Sequence, residues 1–185
     1  MKVAYTIATA NYLAQAKVAQ RSFLATNPGF TGYIFLLDKC DGIDLRPFDN
    51  IAVTEIAALH FEGFGEMVHS YSVFELSNAL KPFVGLYLFE YLKADVVVYF
   101  DSDILFFSSL KILEHSDFTI AITPHVCSPI PVDDLHINEK TFLNAGLYNG
   151  GFVCLVRSDE TLRFLSWWKE RLKNDCRIDL CNGLF

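Results

Sequence analysis

The twelve residues VVVYFDSDILFF, positions 96 to 107, constrain the fold of this chain more than any other stretch. The first five, Val96–Phe100, are all apolar or aromatic, which is typical of a strand that is buried on both faces of a sheet. Asp101 and Asp103 follow directly. Ligands of open α/β sheets bind beyond the carboxyl ends of the strands, so the two acids lie where a functional site is expected.

The spacing of the two acids predicts a metal site. Strand residues two apart point to the same side, so we expect Asp101 and Asp103 to lie close together. Two such carboxylates repel each other unless a cation or a proton lies between them. Mg²⁺ or Mn²⁺ would solve this, because a hard ion takes oxygen ligands and completes its shell with water and substrate phosphates. The alternative is that the acids cap the following turn, although Ser108 or Ser109 would do so without a carboxylate.

The N-terminal part alternates between strand and helix patterns. Residues 2–9, KVAYTIAT, are a β-branched and aromatic run, and residues 11–29 have apolar side chains at helical spacing. Asn27, Pro28 and Gly29 are stop signals for that helix, and residues 32–38 form the next strand pattern. This order predicts an α/β fold in which right-handed crossovers join the strands of a mostly parallel sheet.

Weaker patterns continue along the chain. Ser72 and Glu75 predict a capping box that opens a helix, and Pro82 predicts a break near Lys81 followed by renewed helix. The other predicted elements are a strand at 51–56, a loop at 60–70, a strand at 117–124, a long proline-containing loop at 124–136, a strand at 150–156 and a helix at 160–174.

Composition limits the class of protein. The 185 residues, 52% hydrophobic and 20% charged, suit one globular domain over 1–185, with an expected truncation at its C-terminal end. The net charge is -7 and no Lys/Arg cluster occurs, so we expect no nucleic-acid partner. Five irregularly spaced cysteines favour free thiols in a reducing compartment over a zinc site. Charged residues interrupt the apolar region 82–107, so we expect no transmembrane segment. The short strand-like run after Lys2 soon meets Asn11 and Gln15, so we expect no signal peptide.

Four stretches together resemble one family of enzymes. VVVYFDSDILFF is similar to the D-x-D motif with which GT-A fold glycosyltransferases hold the metal that grips a nucleotide-sugar diphosphate. Residues 5–16, YTIATANYLAQA, resemble the first strand and nucleotide-binding turn of those enzymes. ALKP at 79–82 resembles a basic segment that the family places near the nucleotide. NAGLYNGGFVCL at 144–155 resembles an N-x-G turn before a strand that borders the donor and acceptor sites. The resemblance is nearest to the retaining family of bacterial lipopolysaccharide galactosyltransferases and glycogenin.

The resemblance implies an α/β/α sandwich around a mostly parallel twisted sheet, and it assigns roles to individual residues. Asp101 and Asp103 would hold the metal, and Lys81 would approach the ribose or the phosphates unless it is a solvated residue at a helix end. His125 would lie near the sugar or the acceptor, or be structural. The nucleobase and ribose would be bound by Thr9, Ala10, Asn11, Tyr12 and Ser102. The sugar pocket would be shaped by Asn144, Asn149, Gly150 and Gly151. The alternative for this second set is a plain turn before a strand.

The expected activity is transfer of a sugar from a nucleoside-diphosphate-sugar, with a UDP-sugar favoured, to a glycan or lipid-linked acceptor. The expected location is the cytoplasm, with peripheral binding at the inner membrane as a further option. The sequence departs from the family in two ways. It has no histidine after His136 to act as third metal ligand, and the segment in which the family carries an acidic residue with a neighbouring Gln would begin about where this chain ends. No nucleophile is identified.

Two alternatives stay open. The chain is a catalytically inactive nucleotide-sugar-binding fragment, or it is a phosphatase of the haloacid dehalogenase type. The phosphatase motif normally carries Thr or Val two residues after its second Asp, where this chain has Leu105, and it lies on an early strand.

Overall fold

Six strands form one sheet in the order β3-β2-β1-β4-β6-β5. The computed structural model describes residues 1–45, 48, 50–111, 117–132 and 138–178. Pairing is parallel between β1 and β2, β2 and β3, and β1 and β4, whereas β6 is antiparallel to both β4 and β5. The strands are β1 Lys2–Ala8, β2 Phe30–Leu36, β3 Ile51–Glu55, β4 Val96–Phe100, β5 Ile120–Pro124 and β6 Tyr148–Val156.

Helices cover both faces of this sheet and complete the predicted α/β/α sandwich. Because successive strand residues point to opposite faces, Ala4 and Val98 pack with Phe23 on one side. Tyr5 packs on the other side, with Leu165. The helices are α1 Leu13–Thr26, α2 Phe64–Ser70, α3 Val73–Ala79, α4 Lys81–Glu90, α5 Glu139–Ala145 and α6 Asp159–Asp175, with short 3-10 turns at Ala10–Tyr12 and Ile56–Leu59.

Strand β4 is buried on both faces, as its apolar run predicts. Val97, Val98 and Phe100 have no exposed surface, and Tyr99 is 3% exposed. One of its two neighbours, β6, is antiparallel, so the strand pairs are parallel on one side of β4 and antiparallel on the other. The tip of β4 is therefore an interior position at the edge where β1 and β5 also end and β6 begins.

The predicted boundary between α3 and α4 is confirmed. The Ser72 hydroxyl accepts from the Glu75 N–H at 3.3 Å, and a Glu75 carboxylate oxygen accepts from the Ser72 N–H at 2.7 Å. Leu80 separates the two helices, and Pro82 lies in the first turn of α4, where its missing N–H costs no helical hydrogen bond.

Three local features differ from what the sequence indicated. Residues 60–70 contain helix α2, not only loop, and α5 is a helix that the sequence did not indicate. Strand β6 begins at Tyr148, two residues before the predicted start, so Asn149 lies in the strand and not in a turn before it, whereas Gly150 and Gly151 lie in the strand as predicted. The loop predicted at 124–136 lies partly outside the described residues.

Two further expectations concern cysteines and membranes. Cys40, Cys127, Cys154 and Cys176 are free thiols, and Cys181 lies outside the described residues. Within the described part of the chain, no helix combines the length and the apolarity that crossing a bilayer requires.

Candidate functional site

A cavity of about 810 Å³ opens at the edge of the sheet where β1, β4 and β5 end. Its size is in the range of small-molecule sites. Ten of the thirteen residues proposed from the sequence line it: Thr9, Tyr12, Lys81, Asp101, Ser102, Asp103, His125, Asn149, Gly150 and Gly151. Ala10 and Asn11 belong to the same turn as Tyr12 but are outside the lining. Asn144 lies in α5, and its side chain is outside the described part of the structure.

Asp101 is held by its neighbours, whereas Asp103 is not. The Tyr99 hydroxyl donates to Asp101 Oδ1, and the Lys81 amino group lies 3.3 Å from the same oxygen. The Asp101 N–H donates to the Gly151 carbonyl at 2.9 Å, which ties the tip of β4 to β6. Asp103 is exposed and lines the cavity, and its carboxylate bonds to no residue in the described ranges.

The reason for the placement of the two acids differs from the prediction. Strand β4 ends at Phe100, so Asp101 and Asp103 lie in the turn that follows and strand alternation does not orient them. Both nevertheless line the same cavity, which is what the predicted site requires.

Lys81 is buried at the start of α4, with 3% of its surface exposed. Its amino group donates to the Gly150 carbonyl at 2.9 Å and lies 4.6 Å from the centre of the Tyr99 ring. Burial lowers the pKa of this amine, because it disfavours the charged form, and the charge of Asp101 opposes that shift. The alternative of a solvated lysine is wrong, and no local sequence pattern indicates that the amine would bond to the protein itself.

Tyr99 is a site residue that the sequence reasoning missed. Burial, and after it the charge of Asp101, raises the pKa of Tyr99 well above its usual value, so this phenol stays protonated and donates to Asp101. The available signal was its position two residues before Asp101 at the end of the strand.

Gly151 lies very close to two side-chain oxygens, and its backbone conformation is not one that favours glycine. The Asn149 side-chain oxygen accepts from the Gly151 N–H at 2.6 Å. A Cβ atom at position 151 would lie 2.7 Å from Asn149 Oδ1 and 2.8 Å from Asp101 Oδ2, which is too close for either oxygen to stay in place. At Gly150 the nearest atom to such a Cβ would be Lys81 Nζ at 3.6 Å, an ordinary contact.

The turn after β1 is fixed from a second strand. Asp38 follows β2, and its two carboxylate oxygens accept from the Ala10 N–H at 2.8 and 3.0 Å. Within the turn, the Thr9 hydroxyl donates to the Asn11 side-chain oxygen, and Tyr12 stays 49% exposed at the cavity. Asp38 was not identified from the sequence, because nothing in the local pattern links it to a turn 28 residues earlier.

The far wall of the cavity comes from β5, β6 and the helices. His125, directly after β5, and Tyr148, the first residue of β6, line this wall. The apolar side of the cavity is formed by Phe74, Trp168 and Ile178. The Trp168 ring packs against the core cluster and also reaches the cavity.

The donor atoms at the tip of β4 suit a hard divalent ion. Two carboxylates with a wide cavity in front of them match the way Mg²⁺ is held by one or two carboxylates, water and substrate phosphates. Among the described residues, no group of three or more His, Cys, Asp or Glu side chains is placed to hold a metal by itself. A metal at Asp101 and Asp103 would therefore depend on ligands from outside the described side chains.

Comparison with solved structures identifies the fold. The chain is similar to the galactosyltransferase LgtC, solved with donor and acceptor sugar analogues, with a TM-score of 0.57 and 20% identity over 98% of this chain and 69% of that one. It is similar to mouse xyloside xylosyltransferase 1, with a TM-score of 0.55 and 13% identity over 92% of this chain and 71% of that one. The glycosyltransferase GlyE of Streptococcus pneumoniae TIGR4 matches with a TM-score of 0.50 and 16% identity over 93% of this chain and 36% of that one.

The sequence matches no protein-family model and no curated protein. The structural matches and the six-stranded mixed sheet nonetheless show that this chain has the GT-A glycosyltransferase fold.

Proposed function

We propose that this protein is a glycosyltransferase that moves a sugar from a nucleoside-diphosphate-sugar to a hydroxyl group of an acceptor. The observation that carries the proposal is the position of Asp101 and Asp103 at the tip of an interior strand, in a cavity that the residues proposed for nucleotide and sugar binding also line. A UDP-sugar donor, a glycan or lipid-linked acceptor, and retention of the anomeric centre are parts of the proposal that rest on the resemblance in sequence.

Asp101 and Asp103 are proposed to hold Mn²⁺ or Mg²⁺. When bound, such an ion supplies a Lewis acid that neutralises the charge developing on the diphosphate leaving group. Tyr99 and Lys81 both contact Asp101, so one of the two proposed metal ligands is oriented before any ligand binds.

The remaining lining residues are assigned along the donor. Thr9 and Tyr12, with Ala10 and Asn11 behind them, are proposed to bind the nucleobase and ribose, and Ser102 the ribose. The sugar pocket is proposed to include Asn149, Gly150 and Gly151, with Asn144 near it, because an Asn side chain offers both a donor and an acceptor to hydroxyls. Lys81 adds a positive charge close to the proposed diphosphate position, although its described hydrogen bond is to the protein.

A cytoplasmic location, with peripheral binding at the inner membrane, remains part of the same proposal. It rests on the cysteine usage and on the resemblance to enzymes that build lipopolysaccharide.

The phosphatase alternative has less support. A phosphatase of that type needs Asp101 as its nucleophile, whereas Oδ1 of this carboxylate is engaged by both Tyr99 and Lys81. Hydrolysis of p-nitrophenyl phosphate that depends on Asp101 would support the phosphatase alternative.

Thermal unfolding with UDP, GDP and their sugars, each with and without Mn²⁺, tests the proposal. A ligand that binds the native state raises the midpoint of unfolding, so we expect a rise that needs both a nucleotide and the metal. Asp103→Asn should abolish metal-dependent binding in calorimetry, because it removes the charge of one of the two proposed carboxylate ligands. The fold should be unaffected, because this side chain has no structural partner among the described residues to lose. Unchanged affinity in Asp103→Asn would refute the metal assignment, and binding without sugar transfer to any hydroxyl would favour the inactive nucleotide-sugar-binding alternative.

A further inference from the structure

One histidine in the cavity is held in place by three contacts. His125 directly follows β5, and its N–H donates to the Leu147 carbonyl at 3.0 Å. Its ring nitrogen Nδ1 lies 2.8 Å from the Gly146 carbonyl oxygen. The ring also packs against Phe142, with centroids 5.7 Å apart. These contacts fix the imidazole at the cavity wall.

The hydrogen bond to Gly146 determines which ring nitrogen is free. A carbonyl oxygen only accepts hydrogen bonds, so Nδ1 of His125 must carry the proton and donate it. In the neutral imidazole, Nε2 is then an acceptor. No residue in the described part of the chain bonds to Nε2, so this atom is available to a ligand in the cavity.

The acceptor carbonyl depends on a glycine-specific conformation. Gly146 has φ 98° and ψ 152°, a backbone region that is essentially restricted to glycine. Nothing lies within 4 Å of a Cβ built at this position, so packing does not explain why glycine is present. The conformation instead presents the carbonyl that orients His125.

The order of the strands places His125 beyond the proposed donor site. Along the cavity the strands run β1, β4, β6 and β5. The nucleotide-binding turn 9–12 follows β1, Asp101 and Asp103 follow β4, and residues 149–151 lie in β6. Since neighbouring strands are about 4.8 Å apart, His125 is about 10 Å from the tip of β4 along the sheet. A donor that follows this order from nucleobase to diphosphate to sugar would end next to His125.

An exposed aromatic ring lies beside this histidine. Tyr148 pairs with Pro124, the residue before His125, and it lines the same cavity with 59% of its surface exposed. Aromatic rings pack well against the C–H faces of pyranose rings, while an imidazole nitrogen binds hydroxyl groups. Together the two side chains suit a sugar better than they suit an alkyl chain.

We infer that His125 and Tyr148 form the acceptor subsite and that the acceptor group is a pyranose sugar. His125 Nε2 accepts a hydrogen bond from an acceptor hydroxyl, and the Tyr148 ring supports a face of the sugar. This inference rests on the proposed function.

The test uses saturation-transfer NMR to measure the binding of methyl hexopyranosides with gluco, galacto and manno configurations. The protein is first saturated with Mg²⁺, because paramagnetic Mn²⁺ would broaden the sugar signals, and with UDP or GDP, whichever stabilises it. We expect at least one methyl hexopyranoside to bind. His125→Asn places an amide near the position of Nδ1 and nothing at Nε2, so it should weaken that affinity about five- to tenfold, as for loss of one hydrogen bond. His125→Gln, which places its amide near Nε2, should stay within about threefold of the unchanged protein.

The nucleotide supplies the control. Both variants should bind nucleotide and Mn²⁺ as the unchanged protein does, whereas a purely structural histidine would alter that affinity and the unfolding midpoint together. Normal nucleotide binding with no hexopyranoside bound, or with equal losses in His125→Asn and His125→Gln, would overturn the acceptor subsite and leave the donor site intact. Absence of metal-dependent nucleotide binding in the unchanged protein would overturn both proposals.

Discussion

The Lys81 amino group lies 3.3 Å from Asp101 Oδ1, and this ion pair joins the first turn of α4 to the tip of β4. The two side chains differ in burial, because 4% of the Lys81 side-chain surface and 43% of the Asp101 side-chain surface are exposed. A buried ammonium without a counter-charge is costly, so Asp101 stabilises the fold as well as facing the cavity. Asp103, which is exposed and has no such partner within the described ranges, is free of that structural role.

This difference predicts unequal effects for two otherwise identical substitutions. In metal-free buffer, Asp101→Asn should lower the free energy of unfolding by about 1–3 kcal/mol, because Lys81 loses its counter-charge. The partial exposure of Asp101 keeps the loss below that for a fully buried pair. Asp103→Asn should stay within about 0.5 kcal/mol of the unchanged protein. Urea unfolding measures both, and equal losses would show that the ion pair does not stabilise the fold.

Gly151 provides a test of how closely β6 approaches Asp101. Gly151→Ala should displace both Asn149 Oδ1 and Asp101 Oδ2, because the added Cβ would lie within 2.8 Å of each oxygen. We expect a loss of about 1–3 kcal/mol in unfolding free energy and at least a tenfold loss of metal-dependent nucleotide affinity. Gly150→Ala is the matched control, since its Cβ would meet only Lys81 Nζ at 3.6 Å. Calorimetry that finds the two alanine variants alike would contradict the close approach.

Asp38 is predicted to act through the turn that follows β1. Both of its oxygens accept from the Ala10 N–H, so Asp38→Ala should loosen the turn that carries Thr9 and Tyr12. We expect nucleotide affinity to fall about three- to tenfold, with unfolding changed little because Asp38 is exposed. Asp38→Asn keeps an accepting oxygen and should lose less.

The control for this effect is Asp41→Ala, which removes a nearby exposed carboxylate of the same charge. If nucleotide affinity falls equally in Asp38→Ala and Asp41→Ala, the effect comes from net charge and not from the hydrogen bond to Ala10.

The sequence predicted elements whose signals are local. The buried run of β4 and the capping box of Ser72 and Glu75 lie within a few residues of what they specify, and both are confirmed. Helix α2 was missed because Gly63 and Gly65 are turn signals, and the helix is only seven residues long. Packing of Met67 into the core supports it, which no local pattern shows.

The sequence predicted which segments of the candidate site lie together but not how their residues contact one another. The segments around Thr9, Asp101 and Asn149 do meet at one cavity. The sequence did not show that Lys81 is buried, because its partners Gly150 and Asp101 lie 69 and 20 residues away and become neighbours only when the sheet forms. Asp38 was missed for the same reason.

Glu75 joins the chain after α6 to the start of α3. One carboxylate oxygen accepts from the Ile178 N–H at 2.8 Å, and the other accepts from the Ser72 N–H at 2.7 Å. The Cys176 thiol donates to the Glu75 carbonyl at 3.3 Å, and burial raises the pKa of this thiol to about 11, so it remains a donor at neutral pH. Residues 176–178, which form part of the cavity wall, are thus attached to α3.

This attachment is predicted to weaken in acid. Hydrogen bonds from Ile178 and then Ser72 favour the ionised carboxylate and lower the pKa of Glu75 below its usual value. A lowered pKa in the folded state means that the stabilisation is complete above the unfolded-state pKa and is lost as the pH falls through the folded-state value. The difference in unfolding midpoint between the unchanged protein and Glu75→Gln should therefore be largest at neutral pH and disappear in strong acid.

Amide hydrogen exchange at Ile178 localises the effect. In Glu75→Gln at neutral pH, we expect this amide to exchange about fivefold faster than in the unchanged protein, because its charged acceptor is lost. Glu66→Gln removes an exposed carboxylate from the first turn of α2 and should leave Ile178 exchange unchanged. If Ile178 exchange were the same in Glu75→Gln and the unchanged protein, Glu75 would not hold this wall of the cavity, and other described contacts, such as those of Cys176 with Tyr71 and with the Glu75 carbonyl, would maintain it.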